Sequence, residues 1–147
     1  MSDIGILLAL LGAQSTICDL ADQKLSFAEW RYRKRGLKVK VLPVNDPREM
    51  PPLQKDCYDL VIATEVLEHV PNPFQCLKVL TGALRPRGLL FNSMGNCFDR
   101  DVGGDHLESA LSIGNSEEYR KYWQANYSPL TQSVELNCLF QKVNTQS

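Results

Sequence analysis

Tyr58-Asp59-Leu60-Val61-Ile62-Ala63-Thr64-Glu65-Val66-Leu67-Glu68-His69-Val70-Pro71-Asn72-Pro73 is the stretch on which the reading of this chain turns. Its first seven residues form a nearly uninterrupted apolar run of strand length, which suits a parallel strand covered on both faces. Asn72 then offers a helix cap and Pro73 fills a first helical position, so a helix is expected from there to about Leu84. Arg85-Pro86-Arg87-Gly88 turns the chain into Leu89–Ser93, a second β-prone run. Strand, helix and strand in that order describe one crossover of a parallel sheet.

The same alternation runs upstream. Ser2-Asp3 caps an apolar helix through Leu11, with Gly12 where a C-terminal glycine would end it. Thr16-Ile17-Cys18 is a short strand that stops at Asp19, Gln23 to Arg35 reads as a helix closed by Gly36, and Val39–Val44 is a strand. Downstream, a polar loop to about Ser116 precedes a helix to about Tyr127 and a final strand within Val134–Val143. The expected architecture is α/β: a doubly wound, mostly parallel sheet of five or six strands, with Ile17 and Val61 in one sheet.

Composition agrees with one globular domain. Hydrophobic residues make up 44% and charged residues 22% of 147, which excludes a disordered tail, a collagen repeat and a coiled coil. A net charge of −1 gives no bulk electrostatic case for nucleic acid or membrane. Cysteines 18, 57, 76, 97 and 138 show no C-x-x-C spacing and read as reduced thiols rather than a disulfide frame or zinc site. Ile4 to Ala13 is too short to span a bilayer and lacks the flanks of a signal peptide. A cytoplasmic protein is expected.

In open α/β sheets ligands bind beyond the carboxyl ends of the strands. Asp19, Asp46, Thr64-Glu65 and Ser93 stand at those ends. A carboxylate such as Asp19 can accept from both ribose hydroxyls of a nucleotide; equally, it can cap the helix that begins near Gln23, which taken alone ranks first. Asp46 carries the same ambiguity as an ordinary turn residue before proline.

The stretch from Tyr58, followed by Leu84-Arg85-Pro86-Arg87-Gly88-Leu89-Leu90, resembles class I S-adenosylmethionine-dependent methyltransferases, whose pattern is "E-V-L-E-H-V-P-x-P", a helix and "L-x-P-G-G". It looks most like the ubiquinone-biosynthesis O-methyltransferase type, over roughly residues 2–95. The resemblance implies a Rossmann-like fold with an antiparallel last strand. It implies that Asp19 holds the ribose, Leu20 packs on the adenine, Asp46 accepts from its amino group, and Thr64 and Glu65 lie along the methionine moiety. One domain, 1–147, is then expected, with 1–95 binding cofactor, 96–133 forming a substrate-side loop and helix, and 134–143 the final strand.

Three departures stand out. Pro47 has no N–H for an adenine ring nitrogen. Arg87 replaces the first glycine of the P-G-G turn. The spacing from Gly12 to Asp19 places Ser2-Asp3 at the start of the family's first helix, so its first strand and glycine-rich loop would precede Met1 and Gly5 would be helical. In the resembled fold that strand lies between those ending at Asp19 and Thr64, so an N-terminally truncated sheet, weak cofactor binding and self-association through the incomplete sheet are expected.

Glu65, Glu68 and His69 form E-x-x-E-H, whose counterparts in the resembled enzymes are linked to magnesium; the alternative, favoured on sequence, is that Glu68 and His69 contact backbone or a neighbouring helix. His69 and His106 are the two histidines and hence the candidate general bases, with helix-loop capping the competing reading for His106. Six cations between Arg31 and Lys40, beside Trp30 and Tyr32, admit RNA binding, but a solvated helix face with the aromatics covering the sheet ranks ahead. The expected function is methyl transfer from S-adenosylmethionine to a small-molecule acceptor; the alternative is an inactive remnant that binds or scaffolds.

Overall fold

A computed structural model of the chain describes residues 3–50, 53–93, 107–113, 116–130 and 138–143. They divide into two compact units, 1–51 and 52–147.

The first unit runs α1 (Asp3–Leu10), β1 (Ser15–Leu20), α2 (Gln23–Arg33) and β2 (Val39–Val44). β1 and β2 pair in parallel from Ser15↔Val39 to Leu20↔Val44. Both helices end at the glycines that sequence picked out. Gly12 and Gly36 adopt left-handed backbones, at φ 97° and 69°. The following amides turn back to helix carbonyls, Ala13 N to Leu8 O and Leu37 N to Tyr32 O, the pattern of a Schellman cap. Ile6, Ala9 and Tyr32 form the core, with Ile17, Leu37 and Val39 against them. The opposite face of α1 leaves Ile4, Leu7, Leu10 and Leu11 exposed.

The second unit runs β3 (Tyr58–Thr64), a 3₁₀ turn (Leu67–His69), α3 (Pro73–Ala83), β4 (Leu84–Ser93), α4 (Glu108–Ile113), α5 (Glu117–Asn126), β5 (Tyr127–Pro129) and β6 (Cys138–Lys142). Its sheet order is β3-β4-β6-β5, with β3 parallel to β4 and β6 antiparallel to both neighbours. β3, β4 and β5 therefore run one way and the last strand the other, as expected. Leu77, Leu84, Leu90, Tyr119 and Tyr127 make the core. Within it Thr81 donates to Leu77 O at 2.7 Å and accepts from the Tyr127 hydroxyl, also at 2.7 Å.

Three expectations are revised. Ile17, in β1, and Val61, in β3, lie in different hydrogen-bonded sheets, since β1 pairs with β2 and β3 with β4. The loop expected up to Ser116 contains α4, and the short β5 follows α5. Trp30 does not cover the sheet. Residues two apart on a helix point to nearly opposite sides, so while Tyr32 is fully buried, Trp30 is 42% exposed. No described helix is long and apolar enough to cross a membrane.

Candidate active site

Asp19 and Leu20 end β1, and both are exposed. The helix-cap reading of Asp19 fails, because Asp22 does that work: its carboxylate accepts from Lys24 N at 2.7 Å and Leu25 N at 3.2 Å. Asp19 instead accepts only its neighbour's amide, Leu20 N at 2.8 Å, among the described residues. A carboxylate spared from capping, beside an exposed leucine, matches the chemistry of a ribose acceptor next to an adenine face. The one-residue-earlier Cys18 thiol is pushed up to about 11, first by loss of solvation and then by the Asp19 charge, so it stays protonated at neutral pH.

Asp46 follows β2 in a turn closed by Arg48. The Arg48 amide donates to Asp46 Oδ1 at 2.9 Å, and its guanidinium grips both oxygens, Nε to Oδ1 at 2.9 Å and Nη2 to Oδ2 at 2.5 Å. That grip holds the Asp46 carboxyl below the usual range. An adenine amino group reaching Asp46 has to share an acceptor already engaged by Arg48.

In the second unit, Thr64 ends β3 in register with Ser93 at the end of β4. Glu65 next takes a left-handed backbone at φ 51°. For a residue with a Cβ this costs ~1–2 kcal/mol, a kind of strain that concentrates at functional sites. The 3₁₀ turn then separates the motif's side chains. Glu65 and His69 are exposed, whereas Glu68 is fully buried and neither carboxylate oxygen has a hydrogen-bond partner. Among the described residues no three His, Cys, Asp or Glu side chains gather to hold a metal ion. As placed, with Glu68 buried and Glu65 and His69 exposed, the three side chains do not fit magnesium.

The backbone of the turn anchors α4: Leu107 N donates to Glu68 O at 3.1 Å and Ser109 Oγ to Val70 O at 3.5 Å. His106 lies outside the described residues. Sequence reading passed over Asn92, near the end of β4, which is buried with an unpartnered Oδ1. Its signal was a lone amide side chain closing the apolar run Leu89-Leu90-Phe91.

A profile of the methyltransferase domain family matches residues 4–92, more than half of the chain. The chain belongs to that family. Among curated methyltransferase relatives, the ubiquinone biosynthesis O-methyltransferase of Shewanella pealeana is 26% identical over 136 residues, covering 89% of this chain and 57% of that protein. The enzyme of the same name from Bordetella pertussis is 35% identical over 91 residues, 60% of this chain and 36% of its own length. The chain thus spans about half the length, or less, of these relatives. In fold it is similar to the N-methyltransferase NodS from Bradyrhizobium japonicum, solved with S-adenosyl-L-homocysteine, at TM-score 0.66 and 16% identity over 96% of this chain and 72% of that one. The [4+2]-cyclase SpnF is also similar, at TM-score 0.64 and 20% identity over 88% of this chain and 49% of that one. Likeness of fold to these two structures does not by itself fix a reaction.

Proposed function

We propose that this chain is the methyltransferase part of an S-adenosylmethionine-dependent enzyme that methylates a small-molecule acceptor, with oxygen the favoured acceptor atom. The observation that carries the reading is the family match across residues 4–92. The ubiquinone O-methyltransferase relatives favour the acceptor class. In the first unit Asp19 would hold the ribose hydroxyls, Leu20 would lie on the adenine and Asp46 would accept from its amino group. In the second, Thr64 and Glu65 would lie along the methionine moiety.

The cofactor supplies an electrophilic methyl on a sulfonium centre. The chain's own contribution is position: holding donor and acceptor in line makes an effectively unimolecular reaction from a bimolecular one. A hydroxyl acceptor must also lose its proton. His69, exposed at the end of the 3₁₀ turn, is the described candidate to take it, and His106 the second.

Calorimetric titration with S-adenosyl-L-homocysteine tests the cofactor reading. Micromolar binding that weakens at least tenfold in Asp19→Ala, with an unchanged melting temperature, supports it. Asp22→Ala is the control: loss of its cap costs ~1 kcal/mol of stability and leaves affinity within twofold. No binding at millimolar ligand would return the chain to the scaffold reading.

A further inference from the structure

α2 carries a feature that cofactor binding does not use. Phe27 and Trp30 stack on each other, ring centroids 5.5 Å apart and planes 20° from parallel. Both are exposed, at 51% and 42%, although burying either would be favourable. Lys34 lies over the Trp30 ring, 4.8 Å from its centroid. With Arg31 and Arg35 these side chains line a shallow, open groove along one face of α2.

The charges around the groove are one-sided. Arg31 is paired with Asp3. Among the described residues no carboxylate pairs with Lys34 or Arg35, and Arg33, Lys38 and Lys40 are exposed. Glu29, half-buried, and the capping Asp22 are the acids of the same helix. None of Asp19, Leu20, Asp46, Thr64 and Glu65 lines the groove.

Flat aromatic surface beside clustered cations fits a ligand with a planar ring and a nearby anion. Bases stack on such platforms without regard to sequence, and phosphates take the cations. We propose that the exposed Phe27–Trp30 face of α2 is an auxiliary site for a phosphate-bearing nucleotide, its base on the outer side of the stacked pair and its phosphate at Lys34 and Arg35.

The site takes either a free nucleotide or one nucleotide of a single strand, and fluorescence anisotropy on the full chain separates them. The probe is fluorescein-labelled dT12 in 50 mM salt, with AMP as competitor. The site is supported if dT12 binds in the micromolar range, weakens as salt rises, and weakens about tenfold in Trp30→Ala. Lys34→Gln and Arg35→Gln should each flatten the salt slope by about 0.7, one phosphate contact apiece. AMP that displaces dT12 at a similar concentration identifies a free-nucleotide site; dT12 binding at least tenfold tighter than AMP identifies a strand. No binding of 100 μM dT12 or millimolar AMP overturns the proposal. So does binding that Trp30→Ala and Phe27→Leu leave unchanged, or Trp30-dependent binding to phosphatidylglycerol vesicles without any to nucleotides. Because the groove shares no residue with the proposed cofactor site, an S-adenosyl-L-homocysteine titration on the same variants reads the two proposals separately.

Discussion

Arg87 and Gly88 show how two glycines of one motif do different jobs. Arg87 sits at φ 63°, a left-handed backbone that costs a residue with a side chain ~1–2 kcal/mol. Gly88 needs the absence of a side chain instead: a Cβ there would lie 2.9 Å from Arg85 O and 3.1 Å from Tyr58 O. Position 87 therefore sets a conformational requirement, which glycine would meet without strain, and position 88 a packing requirement. Since the Arg87 side chain is exposed, Arg87→Gly should gain ~0.5–1 kcal/mol, the strain relieved less the greater freedom of glycine in the unfolded chain. Arg87→Val should lose at least ~1 kcal/mol. Urea midpoints check both, and a glycine variant less stable than its parent would show that the arginine side chain stabilises the irregular start of β4. Sequence exposed Asp19 as a strand-end acid but not its release from capping, because only the fold shows that Asp22 reaches both helix amides. The Arg48 grip on Asp46 was equally hidden, since a cation two residues away closes on a carboxylate only when the turn bends it back.

At the scale of elements, α1 packs on α2 through Gly5 and Tyr32. A methyl built on Gly5 would overlap the Tyr32 hydroxyl, which is buried without a hydrogen-bond partner, while the ring's Cζ is 3.7 Å away. Helix propensity favours alanine over glycine by ~1 kcal/mol, whereas overpacking costs ~1–3 kcal/mol. Gly5→Ala should therefore lose ~1 kcal/mol net. Tyr32→Phe should be close to neutral, because the hydroxyl it removes is unsatisfied. The double variant should exceed the parent by up to ~1 kcal/mol, and additive single effects in a denaturation cycle would contradict this packing. The elements up to Ser93 were largely legible because local chemistry sets their ends: glycine caps at Gly12 and Gly36, the Asn72-Pro73 start of α3, and the β-rich run of β3. α4 and β5 were not. Six residues give too few turns for a periodic signal, and α4 is tied instead to the distant turn at Glu68 and Val70. β5 is three residues whose strand character comes from β6, Tyr127 opposite Lys142. The split of Glu65, Glu68 and His69 escaped for a similar reason: Glu65 stands outside the 3₁₀ turn in a left-handed conformation, so even spacing did not mean a shared face.

For the molecule as a whole, β1 and β3 each have a strand neighbour on one side only among the described residues. Unpaired strand edges template pairing with other chains, and in the first unit α1 leaves Ile4, Leu7, Leu10 and Leu11 exposed. We therefore expect concentration-dependent self-association, read by sedimentation velocity between ~1 and 100 μM. A monomer throughout, with a sharp high-temperature unfolding transition, would show that the edges are protected. Amide-resolved NMR of the ¹⁵N-labelled chain tests the proposed cofactor binding at the strand-end residues most directly. On adding S-adenosyl-L-homocysteine, the resonances of Asp19 and Leu20 and those of Thr64 and Glu65 should each shift in a saturable way, and Asp19→Ala should weaken the shift at Leu20. An unchanged spectrum at millimolar ligand, or shifts confined to other residues, would contradict the account.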